Sequence, residues 1–206
     1  MSVLLEIHHL NPEPRLIRQA ADCLLDGGII VYPTDSTYAL ACHMGNKDGL
    51  DRIRRLRQLS DKHNFTLMCA DLSAIATYAK VSNSAYRMLK ACTPGPYTFI
   101  LSATAEVPRR LMHPKRKTIG LRIPDHVVTR ALLDAIESPI MSTSLILPGE
   151  ENPLSEIYEI QERVGRQVDM IIDSGACGVQ PSTVIDLVGG APQVVRVGRG
   201  DPAPFQ

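Results

Sequence analysis

The chain has 206 residues, 21% of them charged, and a formal net charge of zero. That length suits one domain with a substantial core, and the balanced charge excludes a globally polycationic nucleic-acid binder. Tryptophan is absent and aromatics make up only 4% of the chain, which excludes large aromatic cages and extended base-stacking platforms.

In chain order, Val3–His8 reads as a strand. Asn11 can cap a helix with Pro12 at its first position, Leu16, Ala20, Cys23 and Leu24 on its apolar face, and Gly27 and Gly28 at its end. Ile29–Tyr32 is the next strand, so the opening is strand, helix, strand. The segment "PTDST" at 33–37 then sets three hydroxyls and a carboxylate between two apolar stretches. Asn46 can cap a helix over Lys47–Gln58 with Leu50, Ile53 and Leu56 on one stripe. Thr66–Ala70 is a short strand, and Ser82 caps a helix over Asn83–Lys90. Pro94-Gly95-Pro96 is a rigid turn feeding a strand from Thr98. Lys117–Ile123 is a strand, His126–Ala135 a helix, Pro139–Leu145 a strand, Ser155–Val164 a helix and Val168–Ile172 a strand. "STVIDL" and "QVVRVG" close the chain as paired strands. Alternating strands and helices predict an α/β fold: one compact domain over 1–206 with a mixed or largely parallel sheet covered by helices.

The charge is unevenly spread. Arg52, Arg54, Arg55 and Arg57 crowd one segment, and Arg109, Arg110, Lys115, Arg116, Lys117 and Arg122 another, with no acid from Val107 to Pro124. Each cluster is either a local anion site or a solvated surface. None of the five cysteines forms a C-x-x-C pair, and most sit in apolar segments, as small buried hydrophobes do in a reducing compartment. No basic leader precedes an apolar stretch and no apolar run nears membrane-spanning length, so the expectation is a cytoplasmic protein that does not enter membranes.

No G-x-x-x-x-G-K-[ST] loop or G-x-G-x-x-G turn is present, and the six histidines lack metal-ligand spacing, so no metal-ligating residues are assigned. Hydroxyl clusters recur instead: Thr34, Ser36 and Thr37; Ser142, Thr143 and Ser144; Ser182 and Thr183. In open α/β sheets such groups, placed at the strands' carboxyl ends, can hold phosphate or carboxylate oxygens. Arg122 and Arg196 each interrupt an apolar strand. A buried arginine needs an anionic partner, either a ligand or an internal acid such as Asp186.

The stretches "VYPTDSTYALAC", "TPGPYTFIL", "GLRIPD", "MSTSLILPG", "PSTVIDL" and "VVRVGRGD" resemble, in this order, the motifs of the YrdC/YciO family, and "RIRRLRQLSDKHNFTLMCA" resembles its YciO branch. The resemblance implies an open, twisted mixed sheet with flanking helices and a concave basic cleft. It implies the activity of the threonylcarbamoyl-AMP synthases, which turn L-threonine, bicarbonate and ATP, with Mg²⁺, into threonylcarbamoyl-adenylate and pyrophosphate for modification of tRNA adenosine 37. Carried over, Thr34, Arg122, Ser142 and Ser182 contact threonine or bicarbonate, and Arg55, Arg57, Ser144 and Arg196 the nucleotide. No protein nucleophile is needed: catalysis is positioning and charge stabilisation.

Two departures stand out. The synthases' K-x-R pair falls in "RRLRQLSDKHN", where either Arg57 and Leu59 or Arg55 and Arg57 occupy its positions, and the lysine is gone in both registers. The synthases' S-T-S-A-N becomes Ser142-Thr143-Ser144-Leu145-Ile146, so an apolar side chain replaces an amide. The resemblance therefore implies a preserved cleft with weak or altered synthase activity. The alternative is binding of double-stranded RNA, tRNA or rRNA in translation, with Arg52, Arg54, Arg109, Arg110, Lys115, Arg116 and Lys117 as the candidate contacts.

Overall fold

The computed structural model describes residues 2–60 and 63–206. The elements follow as β1 (Val3–Glu6), α1 (Pro14–Leu25), β2 (Ile29–Tyr32), β3 (Ala39–His43), α2 (Lys47–Arg57), β4 (Thr66–Met68), α3 (Leu72–Tyr78), α4 (Asn83–Cys92), β5 (Tyr97–Ser102), β6 (Thr118–Arg122), α5 (Val127–Ile136), β7 (Ile140–Ser144), α6 (Ile157–Val164), β8 (Met170–Asp173), β9 (Thr183–Asp186) and β10 (Gln193–Arg196). The strands form one ten-stranded sheet in the order β1-β8-β2-β3-β7-β4-β6-β5-β9-β10. It is mixed: β8 runs parallel to β1 and β2, β4 to β6 and β5 to β9, while the remaining pairs are antiparallel.

Strand alternation sorts the apolar side chains into two cores. On one face Val31, Leu40, Leu67, Phe99, Ile119, Leu121, Met141 and Ile185 pack with Leu50 and Ile53 of α2, Ile75 of α3, Leu89 of α4 and Ile160 of α6. On the other, Ile30, Ala41, Ile140, Met170 and Ile172 pack with α1 and α5. The strands β4, β6, β5 and β9 contribute almost nothing to this second core, Met68 excepted. Half of one sheet face is therefore left without helical cover.

Two local expectations need correction. Helix α1 starts at Pro14 behind Glu13, not at Pro12 behind Asn11. The Leu16 and Ile17 amides reach the Glu13 carbonyl, whereas Asn11 sits in a bend whose amide bonds to His8 Nδ1. Either proline suits a first helical turn, and the apolar period decides for the later one, burying Ile17, Ala20, Ala21 and Leu24. Second, α3 is a helix absent from the sequence reading; it is short and alanine-rich, and Asp71 caps it through the Ala74 amide at 2.8 Å. Asp61 and Lys62, part of the stretch that resembles the YciO branch, lie outside the described residues.

Asn46 behaves as its sequence position predicts and does one thing more. Its Oδ1 accepts from the Gly49 amide at 2.9 Å and caps α2, while its Nδ2 donates to the Gly27 carbonyl at 2.7 Å, just past the end of α1. Asn46→Ala removes both bonds, and urea unfolding is expected to show a loss of roughly 1–2 kcal/mol.

Candidate functional site

The uncovered half-face is a cavity of about 330 Å³. Its floor is written in strand alternation. Ser142 and Ser144 on β7, Thr66 and Met68 on β4, Thr118, Gly120 and Arg122 on β6, Thr98 and Ile100 on β5, and Val184 on β9 all line it. Their sequence neighbours Met141, Leu67, Leu121, Phe99 and Ile185 belong to the core behind. Gly120 keeps the floor open: a Cβ there would stand 3.2 Å from both Thr66 Oγ1 and Thr98 Cγ2. The site thus spreads over a sheet face, beyond the strand ends where the hydroxyl clusters alone would put it.

Arg122 is clamped across this floor. One terminal nitrogen pairs with Asp35 Oδ1 and the other donates to Ser36 Oγ at 2.9 Å. Both charges are largely removed from water, with side-chain exposures of 7% and 10%. The arginine's internal partner is therefore Asp35 and not Asp186, which Arg116 holds instead. One donor and one acceptor of the buried clamp, Arg122 Nε and Asp35 Oδ2, have no partner among the described residues.

The hydroxyls are held by second residues. Ser142 Oγ shares a 2.6 Å bond with the Tyr32 phenol, whose ionisation burial pushes far up. Ser182 Oγ shares a 2.8 Å bond with Thr98 Oγ1. Thr34 Oγ1 donates to the Thr37 carbonyl at 2.7 Å and accepts from the Ser36 and Thr37 amides, each at 3.1 Å. The Thr34 hydroxyl of "PTDST" therefore organises a turn that presents Asp35 and Ser36 to Arg122. Thr34 and Thr37 also line the cavity.

At the rim beyond β7 the contacts change character. Arg57 Nε donates to the Ile146 carbonyl at 2.7 Å, and Arg57 also donates to Thr143 Oγ1. Burial lowers this guanidinium to about 10. His63 lies 3.2 Å from the same Thr143 oxygen and edge-on to Phe65. Burial, then the charges of Arg57 and Arg54, lower its imidazole to about 4. Ile146 lines the cavity, whereas Leu145 is fully buried in the core. On the opposite side Arg196 donates to the Ser182 carbonyl at 2.8 Å.

Of the residues that sequence analysis selects for substrate and nucleotide, Thr34, Arg57, Arg122, Ser142, Ser144, Ser182 and Arg196 come together here. Arg55 does not: it is exposed and borders a separate depression on the outer side of α2. Helix geometry separates it from Arg57 by about 200° around the axis, so only one of the two can face the cavity. The RNA candidates divide. Arg52 is bound to Asp169 at 2.7 Å, Arg54 stands 3.7 Å from Asp51 and lies over the Phe65 ring, and Arg110 donates to the Gly45 carbonyl at 2.7 Å. Arg116 is paired with Asp186 and lines the cavity. Arg109, Lys115 and Lys117 are exposed. Sequence reasoning missed His63, Thr66, Thr98 and Thr118; for the three threonines the signal available was the polar–apolar alternation of "TLM", "TFIL" and "TIGLR".

The lining does not suit a protein-held Mg²⁺. Its described lining offers hydroxyls, two histidines and four arginines but no carboxylate, and the carboxylates of Asp35 and Asp186 are held by Arg122 and Arg116. No group of three potential ligands that could hold a metal occurs among the described residues. Nor does any described helix have the length and apolarity to cross a membrane.

A family model for Sua5, YciO and YrdC, described as "Telomere recombination", matches residues 22–198. The chain belongs to this family. It is 54% identical over 206 residues to an "Uncharacterized protein" of Haemophilus influenzae, covering the whole of both chains. It is 54% identical over 205 residues to the "Uncharacterized protein YciO" of Escherichia coli K12, again with full coverage of both. The crystal structure of E. coli YciO superimposes with a TM-score of 0.97 over all of both chains. The crystal structure of P. abyssi Sua5 complexed with L-threonine is 25% identical, with a TM-score of 0.88 over 96% of this chain and 58% of that one.

Two outcomes follow from the geometry. Asp35→Ala leaves the Arg122 charge buried without its acid and is expected to cost about 3–5 kcal/mol in denaturant unfolding; Asp35→Ala with Arg122→Met should restore much of it. His63 binds its proton more weakly when folded, at about 4, than when unfolded, at about 6.5. Its contribution to stability is then complete above pH 6.5 and lost as pH falls toward 4, and His63→Gln should flatten that part of the stability–pH curve.

Proposed function

We propose that this chain binds L-threonine, bicarbonate and ATP on the open sheet face and forms threonylcarbamoyl-adenylate, at a rate reduced by its altered rim, to supply tRNA modification. The observation that carries this reading is its likeness to the L-threonine complex of P. abyssi Sua5 over nearly the whole chain. The cavity's inventory of fixed hydroxyls and arginines, with no activated nucleophile, agrees with it. Burial pushes the thiols of Cys42 and Cys69 up to about 12, which leaves them inert.

The chemistry asks little of the protein beyond placement. The threonine amine adds to the carbon of bicarbonate, a C–N bond forms and water leaves. One oxygen of the resulting carbamate attacks the α-phosphorus of ATP, and the bond to pyrophosphate breaks. Ser142, oriented by Tyr32, and Ser182, oriented by Thr98, supply positioned hydrogen bonds. Arg122, held by Asp35 and Ser36, supplies positive charge from the floor, and Arg57 and Arg196 supply charge toward phosphates. Mg²⁺, arriving with ATP rather than on residues of the lining, would neutralise part of the phosphate charge. Ile146 offers no hydrogen bond where it lines the cavity, a deficit of about 1–3 kcal/mol, or up to roughly a hundredfold in rate.

Pyrophosphate release tests the proposal, with threonine, bicarbonate and Mg-ATP each omitted in turn. Release that requires threonine is expected from the wild type, and more from an Ile146→Asn, Arg57→Lys double variant. Absence of threonine-dependent release from the wild type would reject the proposal. Steeply salt-dependent binding of double-stranded RNA through the exposed Arg55, Arg109, Lys115 and Lys117 would then be the reading to pursue.

A further inference from the structure

Arg57 and His63 converge on one hydroxyl. Thr143 Oγ1 accepts from Arg57, since a guanidinium can only donate. That leaves the hydroxyl one proton and one lone pair for His63, whose Nε2 lies 3.2 Å away. All three residues line the cavity. With a neutral imidazole accepting at Nε2, the chain of bonds runs Arg57 to Thr143 to His63, and the hydroxyl proton is engaged by His63. With a proton on Nε2, the imidazole donates to the remaining lone pair of Thr143. The hydroxyl proton is then released to donate into the cavity, beside two cations.

The surroundings hold the neutral form in the absence of an anion. Among the described residues, Arg57 and Arg54 of α2 are the charged groups acting on His63, both positive; Phe65 packs edge-on at 4.9 Å between ring centroids, and Thr143 is its neutral partner on β7. No described carboxylate forms an ion pair with Arg57, in contrast to Arg116 and Arg122 in the same cavity. A negative group placed among Arg57, Thr143 and His63 would offset the repulsion that keeps the imidazole neutral.

We propose that Arg57, Thr143 and His63 form a subsite for a tetrahedral oxyanion of the phosphate class, in which His63 takes up one solvent proton as the anion binds. Binding and protonation then reinforce each other reciprocally. Only the identity of the physiological anion, the phosphates of ATP, rests on the function proposed above.

Sulfate is the probe, because its charge is constant from pH 4 to 8. The His63 ring resonance of the full chain, assigned by its loss in His63→Gln, is titrated with and without saturating sulfate. The midpoint is expected to move from about 4 to about 6. Sulfate should then bind about tenfold more tightly at pH 5 than at pH 7.5, a gain that His63→Gln, which can still bond to Thr143, should lack. A His63 midpoint unmoved by sulfate, or an equal gain in His63→Gln, would overturn the proposal. ATP added at pH 7.5 separates it from the nucleotide reading: sulfate that shifts His63 but is not displaced by ATP would leave the subsite standing and remove ATP as its ligand.

Discussion

The buried pairing of Arg122 with Asp35 is the constraint around which this molecule is arranged. It ties β6, deep in one half of the sheet, to the turn after β2, across the three strands between them. An arginine on the floor of a sheet prevents a helix from packing there, because an apolar cover would strip its charge of water without offering a partner. Thr66, Thr118, Ser142 and Thr98 on the same floor add to that penalty. Helices α1 and α5 accordingly cover only the apolar part of the face, over Ile30, Ala41, Ile140 and Met170. The cavity is thus a consequence of polar residues placed in register on adjacent strands, and the clamp keeps the central cation from destabilising the sheet.

The same alternation explains which parts of the molecule could be read from its sequence. Long apolar periods and caps marked α2, α4 and most strands within a few residues, since Asn46 and Ser82 act locally. The hydroxyl runs at 34–37 and 142–144 were visible as anomalies, and so were Arg122 and Arg196. The partner of Arg122 was not, because pairing across β3, β7 and β4 depends on strand order, which no local pattern encodes. The choice between Arg55 and Arg57 needed the facing of α2, and the roles of Thr66, Thr98 and Thr118 needed knowledge of which sheet face lacked helices. His63 carried no signal of its own; it matters through its approach to Thr143, 80 residues away.

Family membership and the fold set the frame, and the rim at 143–146 sets what is particular to this chain. There an arginine tethered to a hydroxyl and a carbonyl, a neutral histidine and an isoleucine meet at the end of β7. Compared with an amide-bearing rim, this one lacks one neutral hydrogen-bonding side chain, and its cation, Arg57, is partly desolvated. Such a rim favours anions over uncharged polar groups. The basic segments outside the cavity carry less free charge than their sequence suggests, because Arg52, Arg54, Arg110 and Arg116 are occupied within the fold.

The most direct test of the central claim is a titration of isotopically labelled protein with ATP, with and without L-threonine, following backbone amides by NMR. The account predicts saturable shifts concentrated at 34–37, 118–122, 142–146 and 182–184, with threonine tightening ATP binding. Shifts absent from those segments, or confined to the outer side of α2 and to 109–117, would contradict it and place the ligand-binding surface elsewhere.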